Sequence, residues 1–116
     1  MTDAIPLLDQ TRFETAAATP GVTVIDFTAA WCPPCRVLGS VLGVLSREYA
    51  GRAQFVAVDV DAEPVIAERF GVRAMPTVVL WRDGREVGRL IGSRPRAFVA
   101  GMLDRALAGD VAIASP

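Results

Sequence analysis

The chain holds two cysteines, Cys32 and Cys35, separated by Pro33 and Pro34. A C-x-x-C pair brings two sulfurs close enough to form a small disulfide ring. Where such a pair opens a helix, free backbone N–H groups and the positive end of the dipole favour thiolate over thiol at the first sulfur. Cys32 is then the better nucleophile. Cys35, one turn inside, is placed to attack a mixed disulfide and release the product. The competing readings are half of a structural metal site or an idle pair. Structural zinc usually takes four Cys or His ligands, and this chain offers two Cys and no His.

All twelve basic residues are Arg, so Lys is absent as well as His. Ser-His-Asp and Cys-His activation, Schiff-base chemistry, P-loop phosphate cradling and His-ligated metal sites are thereby excluded. Twelve basic residues against thirteen acidic ones leave a net charge of -1, without the basic footprint of a nucleic-acid binder. The chemistry left is that of carboxylates, hydroxyls and two thiols.

The elements that must position the thiols can be read from pattern. A length of 116 residues with 52% hydrophobic content fits one domain with a buried core, here residues 1–108, followed by a frayed tail at 109–116. Residues 4–8 form a weak strand candidate, and Thr11 caps a short helix to Ala18. Val22–Thr28 reads as a buried strand that runs into the cysteines. Cys32 opens a helix to about Ala50, with Leu38, Val41, Leu42, Leu45 and Tyr49 at helical spacing. Ala53–Asp59 is a second strand and Pro64–Phe70 a short helix. Thr77–Trp81 and Glu86–Ile91 flank Asp83-Gly84, a hairpin signal. Ser93 caps a last helix whose apolar face is Phe98, Val99, Met102, Leu103, Ala106 and Leu107. Alternating strands and helices followed by a hairpin predict an α/β sheet covered on both faces, parallel first and antiparallel at the hairpin. Met1–Ala18 lacks a basic n-region, and no apolar window approaches a membrane span. Two cysteines are too few for a secreted disulfide scaffold. The expectation is a cytoplasmic protein without membrane association.

The segment Asp26-Phe27-Thr28-Ala29-Ala30-Trp31-Cys32-Pro33-Pro34-Cys35, then Gly71-Val72-Arg73-Ala74-Met75-Pro76-Thr77, Asp83-Gly84 and Gly92, resembles the thioredoxin family from about residue 4 to residue 108. The resemblance implies a five-stranded mixed sheet flanked by about four helices. It implies a monomeric protein-disulfide reductase acting on disulfide-containing client proteins and recharged by an NADPH-dependent thioredoxin reductase. No nucleotide-binding motif is present, so the chain needs no cofactor of its own. Position by position, Cys32 would attack, Cys35 would resolve, and the two would close as the disulfide of the oxidised form. Asp26 would take the proton from Cys35. The residues alone leave two readings of Asp26: a desolvated carboxylate of raised pKa between Ile25 and Phe27, or an Asp at a solvated sheet end. Pro76 matches the family's cis-proline, which would free the Met75 backbone to pair with an extended substrate. Trp31, Pro34, Met75, Gly92 and Ser93 would border the docking surface, against Met75 as core filling and Trp31 as mere packing.

The chain also departs from the family pattern. Pro33 stands where glycine is common, leaving the N–H groups of Cys35 and Arg36 near the Cys32 sulfur. A lost donor weakens thiolate stabilisation and a stiffer ring favours the disulfide, so a reducing pair is expected. Ala57 replaces a Lys near the buried Asp, Gly39-Ser40 a helix proline, Ala30 an acidic neighbour and Thr28 an aromatic. Arg82, Arg85, Arg89, Arg94 and Arg96 read as a solvated face rather than a docking patch. Two alternatives to the reductase remain: a thiol oxidant or isomerase of the same fold, and a non-catalytic binding module using the Met75-Pro76 groove.

Overall fold

The computed structural model describes residues 5–109. Apolar and β-branched runs make four strands: β1 Val22–Thr28, β2 Ala53–Asp59, β3 Thr77–Arg82 and β4 Arg85–Ile91. Four helices, α1 Gln10–Ala17, α2 Pro33–Glu48, α3 Pro64–Arg69 and α4 Arg96–Leu107, complete the order α1-β1-α2-β2-α3-β3-β4-α4. The sheet runs β2-β1-β3-β4. β1 pairs parallel with β2 and antiparallel with β3, which pairs antiparallel with β4. The β3–β4 turn puts both Asp83 and Gly84 at positive φ, 50° and 90°, the hairpin geometry that Asp-Gly supports.

Period-two alternation sorts the core into two layers. Val22 and Val24 of β1 join Leu38, Leu42 and Leu45 of α2 and Val99, Met102 and Leu103 of α4. Ile25 and Phe27 face the other way, against Phe13 of α1, Ile66 of α3 and Phe70. By the same alternation Asp26 points with Val22 and Val24 toward the α2 side. Trp81 is half-buried on the opposite face, donating its indole N–H to the Ala17 carbonyl at 2.9 Å.

Three expectations need correction. Among the described residues the sheet has four strands, not five. In the segment before α1 only Leu7 bridges to Ala57; Leu8 N donates to Ala57 O at 2.9 Å and Ala57 N to Pro6 O at 2.8 Å. Pro6 has no N–H with which to extend that ladder, and Ala4 lies outside the described residues. The cap of α1 is Asp9, whose carboxylate accepts from Arg12 N at 2.9 Å, rather than Thr11. Ser93 does not cap α4: Pro95, at φ -62° and ψ 154°, is its N-cap. On α4, Phe98 is exposed, and the Arg94 guanidinium lies over its ring, 4.7 Å from the centroid. Of the tail at 109–116 only Gly109 is described. Three of the arginines expected on a solvated face have partners: Arg89 forks onto Glu86 and the Phe70 carbonyl, Arg82 reaches the Ala106 carbonyl, and Arg96 pairs with Glu48.

Gly39 and Gly101 lie inside α2 and α4, and a Cβ at either would meet nothing within 4 Å. Neither helix uses them for a turn. Gly39→Ala and Gly101→Ala should each raise unfolding free energy by about 0.5–1 kcal/mol. Urea unfolding of each variant checks this, and a destabilised variant would refute it.

Candidate active site

Prolines at the first two positions of α2 fit a helix start, where no N–H is needed. Cys32 is the N-cap, and its sulfur accepts from Cys35 N at 3.3 Å. Cys35 N is shared with the Cys32 carbonyl, at 3.1 Å, and Arg36 N goes to that carbonyl alone, at 3.4 Å. Of the two donors expected near the sulfur, one reaches it. Cys32 and Cys35 are joined as a disulfide with Cα atoms 5.3 Å apart. Both are almost fully covered, 3% and 2% exposed, so position on the helix rather than exposure distinguishes them.

Because β1 and β3 are antiparallel, with Phe27 opposite Thr77, the end of β1 and the start of β3 meet at one end of the sheet. The cysteine loop and the loop before β3 therefore share that end. Met75–Pro76 is cis, matching the family pattern. Met75 packs against the cluster of Ala29, Cys32 and Cys35, with Val60 beside it. Gly92 N donates to the Pro76 carbonyl at 2.9 Å, and the Thr77 hydroxyl to the Ala74 carbonyl at 2.7 Å. Gly92 is thus held beside Pro76. Pro34 is exposed on the first turn of α2, and Ser93 is exposed one residue past Gly92.

Trp31 is 63% exposed and is not core packing. Its indole N–H donates to Asp61 at 2.6 Å. Asp61 escaped the sequence reading. Its only local signal is Asp59, two residues before it, whose carboxylate accepts from Asp61 N at 2.9 Å and Ala62 N at 3.3 Å and so folds the turn.

Asp26 lies in mid-β1 between Ala57 and Val78, 5% exposed. Its Oδ1 is buried and has no hydrogen-bond partner. Burial raises its pKa from 3.8 to about 7, because the charged form loses its hydration and gains no compensating charge. Of the two readings of Asp26, the solvated sheet end is excluded. A carboxyl titrating near neutrality below α2 suits proton exchange with a thiol.

A strand-fed C-x-x-C disulfide capping a helix, with a cis-proline loop against it, defines a thiol–disulfide oxidoreductase. The family model for thioredoxin matches residues 4–105. Thioredoxin of Staphylococcus aureus strain Mu50 is 37% identical over 87 residues, 75% of this chain and 84% of that one. Mitochondrial thioredoxin 3 of Saccharomyces cerevisiae, in oxidised form, superposes with a TM-score of 0.77 at 40% identity, covering 86% of this chain and 94% of the other. A mutant thioredoxin from Halobacterium salinarum gives 0.82 at 28% identity, with 91% and 93% covered. The chain belongs to the thioredoxin family. Its substrates as a class are disulfides. Among the described residues no helix is long and apolar enough to cross a membrane.

Proposed function

We propose that this protein is a reductant of disulfide-bonded client proteins, with residues 1–108 as its working domain. The supporting observation is the single N–H, from Cys35, that reaches the Cys32 sulfur at the N-terminus of α2. One donor in place of the two expected leaves the thiolate less stabilised, and a less stabilised dithiol gives up its electrons more readily. Cys32 as thiolate attacks one sulfur of a client disulfide, forming a mixed disulfide and expelling the other client sulfur as thiolate. Asp26 takes the Cys35 proton, and Cys35 attacks the Cys32 sulfur. The Cys32–Cys35 bond forms, the bond to the client breaks, and the client leaves reduced by two electrons.

Trp31, Pro34, Met75, Pro76, Gly92 and Ser93 form the client-facing surface in this reading. The electrons return from an NADPH-dependent thioredoxin reductase, and the protein works as a cytoplasmic monomer. A redox titration against a thiol buffer, followed by Trp31 fluorescence, tests the direction of electron flow. The midpoint should lie at or below about -270 mV, the thioredoxin end of the scale. A midpoint near about -120 to -180 mV would overturn the reductase in favour of an oxidant or isomerase.

A further inference from the structure

A cleft of about 730 Å³ opens beside Asp26 on the α2 side of the sheet. It is walled by Ile5 and Leu7, by Gly39, Gly43 and Val44 of α2, and by Ala57, with Thr28 and Ser40 adding hydroxyls. Thr28, Gly39, Ser40 and Ala57 are all small residues, and all four line this one space. A volume of this size, mostly apolar with a few polar groups converging on it, is that of a small-molecule site.

We infer that this cleft binds small organic cations, an aliphatic ammonium whose N–H groups reach Asp26 and whose chain lies on Ala57, Gly39, Gly43 and Val44. The buried Asp26 Oδ1 has no partner within the protein, and an unpaired acceptor there calls for a donor. An ammonium offers three donors and the counter-charge that an ionised Asp26 lacks. The charged groups around it leave that role open. Arg36, on the cleft wall, is exposed and donates to the Ala30 carbonyl at 3.3 Å. Asp59, farther along β2, is engaged by Asp61 N and Ala62 N. The segment before α1 contributes Ile5 and Leu7, and β3 places Val78 opposite Asp26. This inference does not depend on the direction of electron flow.

The test uses the full-length oxidised protein, n-pentylammonium as probe and 1-pentanol as its neutral counterpart, followed by amide NMR shifts. Pentylammonium should give saturable shifts at Gly39, Ser40, Gly43 and Ala57. Its affinity should be at least about tenfold higher at pH 8.5 than at pH 5.5, because Asp26 ionises between them. Asp26→Asn should abolish that pH dependence. Gly39→Leu, which fills the cleft where a Cβ meets no neighbour, should abolish binding with the fold intact. Equal binding of 1-pentanol, binding independent of pH, or no shifts at these four residues would each overturn the inference.

Discussion

Asp26→Asn should flatten the pH dependence of stability by about 4 kcal/mol between pH 4 and pH 8. The carboxyl titrates at 3.8 in its ordinary state and at about 7 when folded, a gap of roughly three units at about 1.4 kcal/mol each. The sign follows from which state holds the proton. Below pH 4 Asp26 is protonated in both states and costs nothing. Between pH 4 and pH 7 the unfolded chain releases the proton while the folded one keeps it, so stability falls as pH rises. Above pH 7 both are ionised and the loss is complete. The amide of the variant carries no titrating proton, so the variant should gain on the native chain steadily through that window. Urea unfolding of both oxidised proteins across the range measures the gap, and parallel curves would show that Asp26 is not desolvated.

The second large effect concerns release of the client. Cys35→Ser removes the internal thiol that resolves the mixed disulfide. An intramolecular nucleophile acts at effective concentrations far above those of free thiols, so turnover should fall by at least about 10³-fold. A covalent adduct between Cys32 and the client should accumulate, visible on a non-reducing gel and removed by added dithiol. Cys32→Ser should form no adduct at all. Undiminished turnover by the Cys35 variant, or adducts with the Cys32 variant, would assign the roles differently. Retention of function in the double variant would favour a binding module over an enzyme.

Much of the frame was legible in the sequence because its signals are local. The bounds of β2 agree residue for residue with the run from Ala53 to Asp59, and Asp83-Gly84 forms the turn it predicts. What failed depended on competition between neighbours. Asp9 and Thr11 are both able caps, and only the fold shows that the Asp9 carboxylate reaches Arg12 N. Ser93 lost its capping role because Pro95, fixed in φ, takes the N-cap position itself. The fifth strand fails at Pro6, which cannot donate to a ladder.

At the site, the cysteines were readable from type and place, whereas Asp26 kept two readings until its burial between Ala57 and Val78 decided for the desolvated one. Asp61 was not readable, because it meets Trp31 across thirty residues of chain. Nor was the cleft: Thr28, Gly39-Ser40 and Ala57 are far apart in sequence and come together only through β1, β2 and α2.

The pairing of Phe27 with Thr77 also bears on how such a protein can diverge. The cysteine loop and the proline loop are set in relation to each other by main-chain bonds between β1 and β3, which are indifferent to side-chain identity. Substituting residues at the rim, such as Trp31, Asp61, Ser93 or Arg94, should therefore leave the reacting sulfurs in place.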